Sequence, residues 1–228
     1  MEFYGQHQED RLAYRYLKRL PQDRLHKTFV DIGAYDGRHL SNTYLFEQLG
    51  WTGVCVEPDA EAFSQLKENR KCVCIHSACS DHEGSIDFYT HPGRPMGTTN
   101  VDAVEKLATG WVKKFEPELV KNVPCQRLAK ILEDNGFKEI DFVSIDVDGA
   151  ELQVLSGFDL KRAQPKLICI ETNLKKVEQN KWSREHVDEI DRIITAEGYR
   201  VFAVSGPNSF YAKDRHPWMT RLMMALGL

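Results

Sequence analysis

Short apolar segments alternate with stretches of helical periodicity along most of this chain. Apolar runs predict five strands, over residues 28–32, 53–57, 72–78, 141–146 and 166–171. Helical patterns predict helices over about 40–49, 58–69 and 126–135, and further helices from residue 149 and over 183–197. Strands that alternate with helices are typical of a mostly parallel sheet with helices on both faces. The pattern therefore predicts a doubly wound α/β fold.

The pattern also predicts a short accessory strand and a β-hairpin. Residues 85–89 predict a short accessory strand after the turn at Gly84. Residues 199–204 and 209–213 flank Gly206-Pro207-Asn208, which predicts a closing β-hairpin.

The alternation stops between residues 91 and 122. Prolines, glycines and threonines interrupt this stretch, and a loop of such length in a compact domain is usually functional or disordered. Its aromatic residues favour an ordered lid or substrate-recognition insertion. Residues 214–228 are predicted to be a C-terminal tail, which either packs as a short helix or contacts a partner.

The bulk composition adds limits to this picture. The 228 residues are 42% hydrophobic and 28% charged, which suits one α/β domain over residues 1–228 and is marginal for two. A net charge of −4 argues against a broad basic face for nucleic acid, although a local basic patch stays open. We find no apolar run of membrane-spanning length, no signal peptide and no C-x-x-C pair. These observations predict a cytoplasmic protein without a membrane span.

The first predicted strand runs into a tight turn, Asp31-Ile32-Gly33-Ala34-Tyr35-Asp36-Gly37. Gly33 and Gly37 allow a sharp bend and a close approach of the backbone to a ligand. Neither the dinucleotide signature G-x-G-x-x-G nor the phosphate loop G-x-x-x-x-G-K-[ST] is present. A carboxylate at Asp36 would repel a pyrophosphate and would suit a cationic ligand. The turn therefore indicates S-adenosylmethionine, which carries a sulfonium and an amino group.

Two acidic positions follow at the ends of the next strands. Glu57 lies about 20 residues after the turn, where an acidic residue of a nucleotide-binding unit accepts hydrogen bonds from the ribose hydroxyls. The alternative is a surface carboxylate near a helix start. Ser80 and Asp81 follow the third strand and are predicted to meet the adenine ring, the alternative being a turn cap before Gly84.

Carboxylates also end the fourth and fifth strands. Asp146 and Glu171 would lie with Asp31 and Glu57 at one edge of the sheet, because ligands bind beyond the carboxyl ends of parallel strands. Asp148, Glu171 and Asn173 carry the oxygen ligands that Mg²⁺ or another divalent cation prefers. In the alternative interpretation Asp146 binds the cofactor and Glu151 is a first-turn helix carboxylate.

Histidines supply further candidates for a general base. His39 follows the glycine turn, and either acts near the cofactor or belongs to a helix N-cap set. His91, at the start of the interrupted stretch, is a second candidate.

At this point the motifs resemble a known family. The glycine turn, Ser41-Asn42-Thr43, Gly50-Trp51-Thr52-Gly53 before Glu57-Pro58, and Asp146-Val147-Asp148-Gly149-Ala150-Glu151 together resemble the FkbM family of S-adenosylmethionine-dependent methyltransferases. Gly5-Gln6-His7-Gln8-Glu9-Asp10 is similar to the family's N-terminal segment, with Gly5 in place of serine. Asp148 departs from the family's usual glutamate.

The resemblance implies a Rossmann-like class I methyltransferase fold and a set of functional residues. The fold would be a seven-stranded, mostly parallel sheet with an antiparallel last strand. Gln6 and Asp10 would close over the cofactor. The residues around it would be Asp31, Gly33, Ala34, Tyr35, Asp36, Glu57, Pro58 and Asp146, with Ser80 and Asp81 near adenine.

The predicted activity is O-methylation of a hydroxyl on a sugar or a natural-product-type small molecule. Asp146, Asp148, Glu171 and His39 are the candidates that would assist the hydroxyl, with or without a metal ion. Three alternatives stay open, namely a nicotinamide-dependent oxidoreductase, a non-enzymatic adenosine-binding protein, and a methyltransferase of RNA or another nucleic acid. The sequence predicts neither the acceptor nor the oligomeric state.

Overall fold

The computed structural model describes residues 1–91, 94–101, 104, 117–173 and 184–213. Strands over these residues, numbered along the chain, are β1 (Thr28–Ile32), β2 (Thr52–Glu57), β3 (Val73–His76), β4 (Ala78–Ser80), β5 (Gly84–Thr90), β6 (Gly97–Thr98), β7 (Glu118–Arg127), β8 (Phe142–Ile145), β9 (Leu167–Glu171), β10 (Arg200–Ser205) and β11 (Asn208–Ala212). The helices are α1 (Glu9–Leu17), α2 (Tyr44–Gln48), α3 (Ala60–Asn69), α4 (Leu128–Asp134), α5 (Glu151–Ser156), α6 (Leu160–Ala163) and α7 (Arg184–Ala196), and a 3₁₀ turn covers Gln22–Arg24.

Seven strands form the main sheet, in the order β3-β2-β1-β8-β9-β11-β10. β1 pairs in parallel with β2 and β8, while β11 pairs antiparallel with both β9 and β10. The predicted class I methyltransferase sheet, mostly parallel with an antiparallel last strand, is confirmed. The predicted closing hairpin is β10–β11.

The central strands are apolar because helices cover both faces of the sheet. Val30 and Ile32 pack on one face with side chains of α4, α5 and α7. Phe29, on the other face, packs with side chains of α1, α2 and α3. The alternation along β1 therefore divides the core into two layers, as the period of two in a strand requires.

A second sheet, in the order β4-β7-β5-β6, joins the carboxyl end of the main sheet. The predicted third strand, residues 72–78, is divided at Ser77 between β3 and β4, which belong to different sheets. The predicted strand 85–89 is the centre of β5. The predicted helix over 126–135 begins only at Leu128, because residues 126 and 127 complete β7.

The predicted insertion over residues 91–122 is partly regular. It contains β6 and the first residues of β7, while residues 92, 93, 102, 103 and 105–116 lie outside the described residues. The predicted tail, 214–228, also lies outside them. A single domain over 1–228 stays a prediction. In the part of the chain that the structure describes, no helix has the length and apolar character to cross a membrane.

Candidate active site

A cavity of about 830 Å³ opens at the carboxyl edge of the main sheet, where β1, β2, β8 and β9 end. Such an edge is where ligands of open α/β sheets bind. The volume lies within the range of roughly 300–1,000 Å³ that is typical of ligand sites. The second sheet, the N-terminal segment and the β10–β11 turn complete the wall.

Gly33 brings the first strand into this wall and cannot be replaced without strain. Its φ is +81°, and a Cβ on it would lie 1.8 Å from the carbonyl oxygen of Asp146. The N–H groups of Gly33 and Ala34 donate to the carbonyl oxygen of Val56 at 3.0 and 3.1 Å. The turn is therefore fixed between the ends of β2 and β8, and Gly33, Ala34 and Tyr35 line the cavity as predicted.

Asp31 lies at the bottom of the cavity and is held from below. The hydroxyl of Thr43 donates to its Oδ2 at 2.6 Å. Burial raises the pKa of Asp31, while the charge of Arg70 opposes this rise.

The predicted helix over 40–49 begins only at Tyr44, because Ser41 and Thr43 are engaged in this turn.

Arg70 organises the glycine turn and was not among the predicted site residues. Its guanidinium donates to the carbonyl oxygen of Gly37 at 2.9 Å, to the hydroxyl of Thr43 at 3.0 Å and to Glu47 at 2.7 Å. The Arg70 side chain is fully buried, and the Glu47 side chain is 9% exposed. These partners lie 23 to 33 positions away in the chain, so no local motif indicated them.

Glu57 ends β2 and faces the cavity with both carboxylate oxygens fixed. Oε2 accepts the N–H of Tyr35 and Oε1 accepts the N–H of Asp59, each at 2.8 Å. Burial raises the pKa of Glu57 to about 7, against the opposing effect of these N–H groups. Each oxygen keeps a further lone pair for a ligand hydroxyl. Pro58, also predicted, lines the cavity beside it.

Ser80 and Asp81, the predicted adenine contacts, do not line the cavity. Asp81 is exposed and pairs with His82 at 2.8 Å. The main chain leaves the main sheet at Ser77, so it is Ser77, Ala78 and Cys79 that face the cavity, three residues before the predicted position. Phe88 and Thr90 of β5 extend this wall.

Asp36 is likewise turned away from the cavity. Its Oδ1 accepts the N–H groups of Arg38 and His39 at 2.8 and 2.7 Å, which caps the turn. His39, a predicted base, does line the cavity but is exposed at its rim.

The N-terminal segment forms one side of the cavity through Gln6, as predicted, and through His7 and Glu9. Asp10 does not line it, because its carboxylate accepts the N–H groups of Tyr4 and Arg11 at 2.6 and 2.8 Å. Glu9 lies beside it in sequence and is buried. Sequence reasoning missed Glu9, although the motif that contains Asp10 includes it.

Glu9 connects this segment to the end of the sheet. Its carboxylate accepts the N–H of His7 at 2.7 Å and the side-chain amide of Asn208 at 3.1 Å. Ser205 donates to the carbonyl oxygen of His7 at 2.7 Å. The hairpin β10–β11 therefore supports the N-terminal wall of the cavity.

Asp146, Asp148 and Glu171 meet beyond the ends of β8 and β9. One carboxylate oxygen of each lies within 4.8 Å of the others. Burial, and then the charge of Asp148, raise the pKa of Asp146 to about 8. Burial and the charges of Asp146 and Asp148 raise the pKa of Glu171 well above its usual range. The predicted edge of carboxylates is therefore brought together around one point.

The loop between β5 and β7 covers this cluster. The N–H of Gly97 donates to Oδ2 of Asp148 at 3.0 Å, and the side chain of Asn100 donates to the carbonyl oxygen of Gly149 at 2.7 Å. Arg94, Thr98 and Thr99 of the same loop line the cavity. The described part of the predicted lid thus lies directly over the carboxylates. His91, the second candidate base, is not in the cavity wall.

The described wall of the cavity is strongly acidic. Arg94 is its single Lys or Arg residue, and its carboxylates are Glu9, Asp31, Glu57, Asp59, Asp146, Asp148 and Glu171. A cleft lined mostly by negative charges repels a polyanion, so this wall favours a cationic ligand.

A reversed last strand, a glycine turn after β1 and an acidic residue at the end of β2 define a class I methyltransferase fold with a nucleoside-type site. The chain belongs to the FkbM methyltransferase family, since the family model described as "Methyltransferase FkbM domain" matches residues 31–201. The predicted family is confirmed.

One curated relative matches about half of this chain. The chain is 31% identical over 144 residues to the 2-O-methyltransferase NoeI of Sinorhizobium fredii (strain NBRC 101917 / NGR234). The match covers 56% of this chain and 56% of NoeI, so the chain spans about half the length of this curated relative.

The chain is also similar to two solved structures. The plantazolicin methyltransferase BamL, in complex with a triazolic desmethylPZN analog and SAH, has a TM-score of 0.36 and 12% identity over 84% of this chain and 62% of its own. The small RNA methyltransferase HEN1 has a TM-score of 0.39 and 14% identity over 92% of this chain and 26% of its own.

Proposed function

We propose that this protein transfers the methyl group of S-adenosylmethionine to a hydroxyl of a sugar or natural-product-type small molecule. The observation that carries the proposal is the position of Glu57. Its carboxylate faces the cavity from the end of β2, is fixed by two N–H groups, and lies in a chain of a methyltransferase family. Two adjacent ribose hydroxyls would each find an acceptor oxygen there.

With the ribose bound at Glu57, the other parts of the cofactor would lie against neighbouring parts of the wall. The adenine ring would lie against Ser77, Ala78 and Cys79, the described residues next to Glu57 on the wall. The sulfonium and amino group would face the acidic side, towards Asp31 and Asp146. Opposite charges stabilise each other strongly where solvent is excluded.

The proposed chemistry is a direct in-line transfer. The acceptor oxygen forms a bond to the methyl carbon as the bond from carbon to sulfur breaks, and the sulfonium becomes a neutral thioether. The hydroxyl proton passes to a base, for which Asp146, Asp148, Glu171 and His39 are the candidates. Correct placement of the two reactants can contribute about 7–11 kcal/mol. A divalent cation would serve as a second cofactor.

A polyhydroxylated acceptor suits the outer wall of the cavity. Arg94, Thr98 and Thr99 offer several hydrogen-bonding groups where an acceptor would enter. NoeI, named a 2-O-methyltransferase, is a relative that acts on oxygen. An RNA acceptor is disfavoured, because its phosphates would meet an acidic wall with one arginine among the described residues.

Calorimetric titration with S-adenosylhomocysteine tests the cofactor site. At pH 8, Glu57→Gln should weaken binding about 10- to 100-fold, because hydrogen bonds to a charged group contribute about 1.5–3 kcal/mol. Asp36→Asn is the matched control, since it also replaces a carboxylate by an amide but outside the cavity. It should leave the affinity within about twofold. If the wild type does not bind at millimolar concentration, the proposal is wrong.

The acceptor class needs a separate assay. Release of S-adenosylhomocysteine should be measured with a panel of oligosaccharides and hydroxylated natural products, each paired with its deoxy analogue. Turnover with a hydroxylated compound and none with its deoxy partner supports O-methylation. Turnover confined to RNA would contradict the proposed acceptor and leave the cofactor site in place.

A further inference from the structure

Three carboxylates converge beyond the ends of β8 and β9. One oxygen each of Asp146, Asp148 and Glu171 lies within 4.8 Å of the others. The charges that act most strongly on Asp146 and Glu171 are those of other carboxylates. Like charges at this separation repel each other where solvent is partly excluded.

A second observation at the same place concerns unpaired oxygen atoms. Oε2 of Glu171 and Oδ1 of Asn173 are buried and accept no hydrogen bond. Asn173 is only 2% exposed, yet it lines the cavity together with Glu171. A buried acceptor without a donor is costly, so these two atoms indicate a missing partner.

The local backbone supports a ligand-binding role for these positions. Asp148 and Asn173 both have a positive φ, of 50° and 51°. Residues other than glycine adopt this conformation at a cost, and such residues cluster at functional sites. Asp148 lies three residues after β8 and Asn173 two residues after β9, and both strands end at the cavity.

We infer that Asp146, Asp148, Glu171 and Asn173 form a binding site for a divalent cation of the Mg²⁺ or Mn²⁺ type. All four donors are oxygens, which such hard cations prefer over nitrogen or sulfur. The cation neutralises the carboxylates and supplies the partner that the buried oxygens of Glu171 and Asn173 lack.

The coordination positions that the protein leaves open on the cation predict a feature of the acceptor. This step rests on the proposed function. Mg²⁺ and Mn²⁺ bind six ligands, and four protein oxygens leave two positions. Two neighbouring hydroxyls of one acceptor fill these two positions. Binding to the cation would make the hydroxyl more acidic, and its proton would pass to His39, the candidate base outside the cation site, as the oxygen attacks the methyl group. The preferred acceptor therefore carries a vicinal diol.

The cation site is tested on the protein without substrate. Electron paramagnetic resonance should show one Mn²⁺ bound per chain, and MgCl₂ should displace it. Glu171→Gln and Asp148→Asn should each weaken Mn²⁺ binding at least about tenfold. Both changes preserve shape, and asparagine tolerates the positive φ at position 148. Asp87→Asn, an exposed carboxylate on β5, is the charge-matched control and should have no effect.

The outcomes separate this inference from the proposed function. Titration with S-adenosylhomocysteine in EDTA reports the cofactor site alone. Cofactor binding in EDTA without any Mn²⁺ binding at millimolar concentration overturns the cation site and leaves the proposed function standing. Mn²⁺ binding that survives both Glu171→Gln and Asp148→Asn also overturns it. Mn²⁺ binding without cofactor binding supports the cation site and contradicts the proposed function.

A further variant and the acceptor assay complete the test. If Glu171→Gln fails to fold, Asn173→Asp retains an oxygen and the backbone conformation, and Mn²⁺ binding at least as tight as in the wild type is expected. Acceptors with a vicinal diol should be methylated in MgCl₂ and not in EDTA. Equal turnover of a diol and its monodeoxy analogue would overturn the assignment of two hydroxyl positions.

Discussion

Single residues at the carboxyl edge are constrained by backbone contacts as much as by their side chains. Gly33 illustrates this, because the space that its Cβ would need is filled by the carbonyl oxygen of Asp146. Gly50 has the same φ of +81°, yet nothing lies within 4 Å of its Cβ position. Comparison of Gly33 with Gly50 therefore separates the energetic cost of a positive φ from the cost of a steric clash at Cβ.

Gly50→Ala should lower the free energy of unfolding by about 1–2 kcal/mol, which is the cost of the left-handed conformation. Gly33→Ala should cost at least about 3 kcal/mol, because a clash with a backbone atom is added to the same strain. Equilibrium unfolding in guanidinium chloride measures both. Equal costs for the two variants would show that β1 and β8 do not approach each other as described.

Elements are joined at the site by a buried ion pair. Arg70, directly after α3, contacts Glu47 of α2 and the carbonyl oxygen of Gly37 in the turn after β1. This one side chain therefore links two helices to the turn that begins the cofactor wall. Glu47 also accepts the N–H groups of Lys71 and Cys72, at 2.8 and 2.6 Å.

Arg70→Met should lower the free energy of unfolding by about 3–5 kcal/mol, because it leaves the buried carboxylate of Glu47 without its counter-ion. Arg192→Met is the matched control. It removes the ion pair between Arg192, whose side chain is 69% exposed, and Glu189, whose side chain is 41% exposed. This change should lower the free energy of unfolding by no more than about 1 kcal/mol. The double variant Arg70→Met/Glu47→Leu should cost less than the sum of its parts. Similar effects of Arg70→Met and Arg192→Met would contradict this role.

At the scale of the whole molecule, the cavity combines parts of the chain that are far apart in sequence. The N-terminal segment contacts the β10–β11 hairpin through Glu9 and Asn208, which are 199 positions apart. Gly97 of the second sheet contacts Asp148 after the end of β8. A ligand in the cavity would therefore connect segments that the main sheet alone does not hold together.

Binding of S-adenosylhomocysteine should slow amide hydrogen exchange in residues 6–9, 33–35 and 97–99, because the ligand stabilises the closed arrangement of these segments. Residues 160–163 of α6 do not line the cavity and should show little local change at low ligand occupancy. Mass spectrometry of peptic fragments measures both. Protection confined to residues 33–35 would contradict a wall that includes the N-terminal segment.

The sequence by itself determined the mostly parallel character of the sheet and the chemistry of its carboxyl edge. Alternating strand and helix patterns predicted a parallel sheet, and a parallel sheet brings strand ends to one edge. For this reason Asp31, Glu57, Asp146 and Glu171, which the sequence places at one edge, do line one cavity although they are distant in sequence. Local pattern was sufficient because each of these residues lies at the end of a strand or directly after one.

The tertiary structure decided which neighbouring side chains face the cavity and which support it. Asp10, Asp36 and Asp81 belong to motifs at the edge, yet each carboxylate is engaged elsewhere, by backbone N–H groups or by His82. Glu9 and Arg70 act through partners that are distant in the chain. Packing energies between segments that are far apart in sequence decide whether Glu9 or Asp10 faces the cavity. They also decide that the chain changes from one sheet to the other at Ser77. Those energies have no local signature in the sequence.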